Sequence, residues 1–291
     1  MKKYFYFSKN ELSNSYSDLA IERRRADTEC EGVEYSTEKG ILGTWETVKI
    51  TSREGEISIG RPSGIYETFN TGRMDLLNYD QIDDAKEEVS KKLCSIFDRL
   101  SIWPERLLVI GLGNSNLTPD SIGPKAASNV KATAHIKKFD EAAFDSLECS
   151  EIGVLTPGVM ADSGIQTSEI AKGVCSVFKP NAVIAIDAIT AGSVERLGST
   201  IQISDTGIIP GSGVGNLHEG LNEQILGAPV IAIGIPTVVD SRVFATQNTS
   251  YNTNVCKPAM LVSPKEIDEI VNIGAEIIAG GINQAFGICA F

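Results

Sequence analysis

Apolar positions along the chain follow two rhythms, and the change falls near residue 106. Before it, Val48-Lys49-Ile50, Ile57-Ser58-Ile59 and Tyr66-Glu67-Thr68-Phe69 are short alternating patches, the period of half-buried strands. Arg53-Glu54-Gly55 and Pro62-Ser63-Gly64 separate them with turn composition, so short antiparallel strands are expected. Ile82, Ala85, Val89, Leu93, Ile96, Phe97 and Leu100 then recur at helical spacing, which predicts an amphipathic helix. From Arg106 onward the runs become short, β-branched and nearly all apolar, at 107–110, 153–155, 183–186, 200–203 and 230–233. Helix-like segments lie between several of them, such as 168–178 with Ile170, Val174, Val177 and Phe178 on one face. Apolar strands alternating with helices predict a three-layer α/β sandwich, its sheet mostly parallel (mixed) and flanked by helices. A small N-terminal β extension (19–80) would precede a sheet-and-helix core (81–291). Ser263-Pro264-Lys265-Glu266 reads as a capping box with proline at the first helical position, opening a long C-terminal helix.

Composition narrows the function classes. Of 291 residues, 42% are hydrophobic and 22% charged, enough apolar surface for a core and too little charge for global disorder. No apolar run is long enough to span a bilayer, and the polar residues after Met1-Lys2-Lys3 do not form a secretory signal. A cytoplasmic compartment and no membrane partner are therefore expected. The net charge of −12 argues against nonspecific duplex binding, which needs clustered cations. None of the six cysteines forms a Cys-x-x-Cys pair, and there are only two histidines, His135 and His218. No metal or cofactor is expected.

In sheets of this type, ligands bind beyond the carboxyl ends of the strands. Loops of interest there are Gly111 to Asp120 with Asn114 and Asn116, Thr156 to Met160, Asp187, Asp205-Thr206-Gly207 through Gly213 to Asn216, and Pro236 to Asp240. Neither Gly111-x-Gly113 nor Gly211-x-Gly213-x-Gly215 completes a dinucleotide fingerprint or P-loop. Asp205-Thr206-Gly207 and Asp162-Ser163-Gly164 match the tripeptide of pepsin-like proteases, but those lobes are all-β, and this is also ordinary turn composition. Asp120 and Asp187 make the better pair. Asp187 directly follows 183–186, so its carboxylate is expected at the end of a buried strand. Two such carboxylates can share a proton, one activating water and the other protonating the leaving amine. The alternative is that each merely caps a helix or turn.

At these loops the sequence resembles the germination proteases of spore-forming bacteria. The similar stretches are Gly111-Leu112-Gly113-Asn114, Thr118-Pro119-Asp120, Gly123-Pro124, Thr156 to Met160, Ala185-Ile186-Asp187-Ala188, Thr200 to Ile208, Pro210 to Asn216, Pro229 to Asp240 and Ser263 to Glu266. The resemblance runs from about Asp18 to the C-terminus. It implies an atypical aspartic-type endopeptidase, related in fold to hydrogenase-maturation endopeptidases, that degrades small acid-soluble spore proteins during germination. Its essential aspartates match Asp120 and Asp187. It also implies a homotetramer of the forespore and spore core, and a zymogen that cuts itself, here between Asp18 and Leu19, making 1–18 a propeptide and 19–291 a single peptidase domain. The Asp-Leu-Ala junction is similar to the Glu-Ile/Phe-Ala sites of the substrates. Departures are Asp162 in place of a glutamine, Leu217-His218 in place of a basic residue, and a short stretch between Asp240 and Lys257. The other readings are a hydrogenase-maturation-like peptidase and an inactive homologue that binds spore proteins.

Overall fold

The structure, a computed structural model, describes residues 17–23, 30–209, 219–246 and 260–287. Gly213 and the rest of the expected 210–216 loop lie outside the described residues. Nine strands form one mixed sheet: β1 (Val33–Lys39), β2 (Thr44–Ile50), β3 (Gly64–Asn70), β4 (Arg106–Gly111), β5 (Glu151–Leu155), β6 (Ala182–Ala191), β7 (Thr200–Ser204), β8 (Val230–Asp240) and β9 (Leu261–Val262). Their order is β1-β2-β3-β7-β8-β6-β4-β5, with β9 on the far end of β8. The pairs β5/β4, β4/β6 and β6/β8 are parallel. The N-terminal strands join the same sheet antiparallel, β3 pairing with β7 and β7 with β8.

Helices in chain order are α1 (Ala20–Arg23), α2 (Arg53–Ile59), α3 (Tyr79–Leu100), α4 (Ile122–Asn129), α5 (Ala134–Phe139), α6 (Glu141–Asp145), α7 (Met160–Ser163), α8 (Thr167–Phe178), α9 (Glu223–Leu226), α10 (Val243–Thr246) and α11 (Ile267–Phe286). One face of the sheet buries Leu107, Val109, Ile184, Ile186, Ile231 and Ile233 against α3, α4 and α11. The opposite face packs Leu108, Ile110, Val183 and Ala185 against α8 and α9. The three-layer sandwich expected from the alternating rhythm is therefore present. α3 starts at a reciprocal Asn78–Gln81 capping box and stops at Ser101 in the left-handed region.

Four local expectations are corrected. Residues 57–59 belong to α2 rather than a strand. The Ser52 side chain accepts from Gly55 N–H at its start and Gly60 closes it with φ of 68°, so caps outweigh an alternation only three residues long. On α8, Ala171 and Cys175 face inward while Val177 is exposed. The C-terminal helix begins at Ile267 with no side-chain cap, because Glu266 reaches instead to Arg73 at 3.1 Å.

The fourth correction shapes the site. β6 does not end at Asp187 but continues to Ala191, paired with β8 from Asp187↔Gly234 to Ala191↔Val239. What ends there is β4, whose last pairing is Gly111↔Ile186. The apolar run stops at Ile186 because the covering neighbour stops, not because the strand does. Asp187 is thus the first residue of β6 beyond the end of β4.

Candidate active site

Asp187 is 5% exposed, and its Oδ1 accepts the N–H of Ala188 at 2.9 Å. In register it faces Gly234 of β8, which faces Gln202 of β7. Cross-strand neighbours share a face, so a carboxylate and an amide flank a position without a side chain. Asp187, Gly234 and Gln202 line one cleft of about 130 Å³, together with Asp18, Arg61, Tyr66 and the loop from Thr206 to Ile209. Burial pushes the Tyr66 phenol up to about 12, and its hydroxyl donates to the carbonyl of Pro62 at 2.9 Å.

Asp120 closes a 3-10 turn (Thr118–Asp120) after β4. Asn114 N–H donates to both its backbone carbonyl, at 3.0 Å, and its Oδ2, at 2.9 Å. The turn is held against the sheet by two glycines. A Cβ on Gly111 would lie 2.3 Å from the carbonyl oxygen of Gly123, and one on Gly123 would lie 2.4 Å from that of Ile186. Only glycine lets α4 press so closely on the residue before Asp187. The turn also packs on β6, β8 and α11. Burial, the larger influence, raises the Asp120 pKa, opposed by the Asn114 hydrogen bond.

The N-terminal segment forms one wall of the cleft, at Asp18. Asp18 and Leu19 are 6% and 0% exposed. Asp18 N–H donates to the Thr190 carbonyl at 2.8 Å, while its Oδ2 accepts the Thr190 N–H at 2.9 Å. Its Oδ1 pairs with Arg61 Nη2 at 2.7 Å. The Gln202 amide brackets Leu19: Nε2 donates to the Asp18 carbonyl at 3.2 Å and Oε1 accepts from Ala20 N–H at 2.8 Å. Glu22 fastens α1 by accepting from Gly192 N–H at 2.5 Å and the Ser193 hydroxyl at 2.6 Å.

Among the expected site residues, the structure brings Asp18, Asp187 and Gly207 onto this cleft, with Leu19 buried at its junction. Asp120 is not among the lining residues and stands on the adjoining turn. Asn114 supports Asp120, and Asn116 N–H caps the Asn114 side chain at 2.9 Å. Asp205 turns away from the cleft, its Oδ1 accepting Ile65 N–H at 2.8 Å, which ties β7 to β3. Met160 is 44% exposed at the start of α7 and does not line the cleft. Sequence reasoning missed Arg61, Thr190 and Gln202. The one available signal was Gln202, a polar amide inside an otherwise apolar strand run. Among the described residues, no three histidine, cysteine, aspartate or glutamate side chains are grouped to hold a metal ion.

Fold and cleft together define an α/β protein whose N-terminal segment walls a cleft beside a buried carboxylate. A family model described as "Germination protease" matches residues 11–255, and the chain belongs to the germination protease family. Similar proteins include a germination protease of Caldanaerobacter subterraneus subsp. tengcongensis, 38% identical over 92% of this chain and 93% of that one. Another, of Clostridium perfringens, is 36% identical over 94% and 95%. That of Bacillus subtilis is 39% identical over 84% of this chain and 69% of its own length. The chain is thus a protease of the germination type, with a protein as its substrate. A solved [NiFe] hydrogenase maturation protease HycI from Thermococcus kodakarensis KOD1 aligns over 66% of this chain and 99% of that one, with 19% identity and a TM-score of 0.38.

Proposed function

We propose that the chain is an aspartic-type endopeptidase that initiates degradation of small acid-soluble spore proteins, made as a zymogen that removes residues 1–18. The observation that carries this reading is that Asp18 forms part of the wall of the cleft that Asp187 also lines, with the carbonyl of the Asp18–Leu19 bond accepting from Gln202. Family membership supports the substrate class. It also motivates a homotetramer in the forespore and spore core, acting on spore proteins with no nucleic-acid or membrane partner.

In the reaction, one carboxylate of the Asp120–Asp187 pair takes a proton from water as its oxygen attacks the Asp18 carbonyl carbon. The other gives a proton to the Leu19 nitrogen as the C–N bond breaks. The products are an Asp18 carboxyl group and a Leu19 amine, and water is the sole co-reactant. The raised pKa of Asp120 favours it as the protonated member. The test is incubation of the full-length chain at mildly acidic pH followed by mass measurement. Loss of residues 1–18 is expected, with Asp187→Asn remaining full length. Shortening of Asp187→Asn at the unaltered rate would sink the assignment.

A further inference from the structure

Gln202 stands on β7 in the same cross-strand row as Asp187. Its register partner is Gly234 of β8, which is also the partner of Asp187 on β6. With adjacent strands about 4.8 Å apart, the amide and the carboxylate rise from backbones roughly 10 Å apart, across a residue that has no side chain. All three residues line the cleft. The amide can point one way only. Its partners are a carbonyl and a peptide N–H, so Nε2 must face the Asp18 oxygen, at 3.2 Å, and Oε1 the Ala20 N–H, at 2.8 Å. Both partners are main-chain groups, so the grip does not depend on the side chain that stands between them.

We infer that the Gln202 amide is a catalytic group with two separate tasks: Oε1 holds the polypeptide, and Nε2 stabilises the negative charge that forms on the carbonyl oxygen of the cleaved bond. The inference rests on the proteolytic reading above. As the water oxygen bonds to the Asp18 carbonyl carbon, the π electron pair moves onto the carbonyl oxygen and a carboxylate takes the proton of the water. The pair returns to carbon as the C–N bond breaks and the Leu19 nitrogen gains its proton. The oxygen that gains charge is the one Nε2 already faces. Gln202 is 9% exposed, and an N–H aimed at a growing charge away from water is worth far more than one in solvent. The Ala20 N–H undergoes no change of charge. Its bond to Oε1 is equally strong before and during the reaction, and so serves binding alone.

The experiment offers the processed enzyme a peptide copying residues 12–25 in three forms. One is unmodified, one has sulfur in place of the Asp18 carbonyl oxygen, and one has an ester oxygen in place of the Ala20 N–H. On the unaltered enzyme the ester should raise KM by about three- to tenfold, with kcat held within about twofold. Gln202→Met keeps the length of the side chain without its amide. It should lower kcat on the unmodified peptide by about 10²–10³-fold. Sulfur accepts hydrogen bonds poorly, so the same variant should also narrow the rate gap between unmodified and sulfur peptides by at least about tenfold. General damage to the fold would leave that gap as it was. Gln202→Leu serves if Gln202→Met does not fold. A gap of unchanged size in a folded Gln202 variant would overturn the task assigned to Nε2 and leave proteolysis standing. An unaltered chain that neither trims itself nor cuts the peptide would overturn the proteolytic reading, and this inference with it.

Discussion

Two aspartates stand at one end of the sheet, and they are held in opposite ways. Asp120 is fixed locally: its backbone and carboxylate are both gripped by Asn114, six residues earlier, on a turn that two glycines let sink against the sheet. Asp187 is fixed by distant chain. β8 supplies its register partner Gly234, and the cleft it lines is completed by Asp18 and Arg61. A local turn holds one carboxylate where burial raises its pKa, while tertiary pairing sets what the other can touch.

The strongest test removes each carboxylate in turn. Asp120→Asn and Asp187→Asn should each slow self-cleavage by on the order of 10²–10⁴-fold, read by the rate at which the full-length band shortens. If only Asp187→Asn does so, Asp120 is part of the support and not of the chemistry. Next in size, Gly234→Val would fill the floor between Asp187 and Gln202, where a Cβ already comes within 2.8 Å of the Ile189 side chain. It should block peptide cleavage with a modest loss of stability, about 1–3 kcal/mol from overpacking. Gly123→Val should cost at least as much in a chemical melt, since the new atoms meet backbone carbonyls and not a side-chain end.

The smallest effect concerns pH. Burial raises the folded-state pKa of Asp120, so the folded protein holds that proton more tightly than the unfolded chain. The associated stability is fully present below the unfolded pKa and is lost as pH rises through the folded value. Asp120→Asn should flatten this part of the stability-versus-pH curve in denaturant titrations. An unchanged curve would show that burial does not perturb the carboxylate.

The same local-versus-distant contrast explains what could be read in advance. The apolar runs at 107–110 and 183–186 announce the sheet because burial on both faces leaves little room for polar residues. β1 has no such mark: six of its seven residues are exposed, and pairing with β2 alone defines it. The Asp120 turn is legible as Gly, Asn and Pro spacing. Arg61 and Gln202 are not, because each gains its role from a segment more than forty residues away in sequence. Asp205 shows the opposite failure, a familiar tripeptide whose carboxylate serves to bind β3.

The anchoring of α1 has a consequence for timing. In the proposed zymogen, breaking the Asp18–Leu19 bond would cut Ser17 and Asp18 loose from α1. It leaves the Ala20–Gln202 bond and the clasp of Glu22 on Gly192 and Ser193. The new N-terminus would then be a tethered competitor, at the millimolar effective concentration typical of short flexible links. An incoming substrate would have to displace it before the first turnover. Trimming and activity would thus be separable events, the first freeing the Asp18 wall of the cleft and the second waiting on α1.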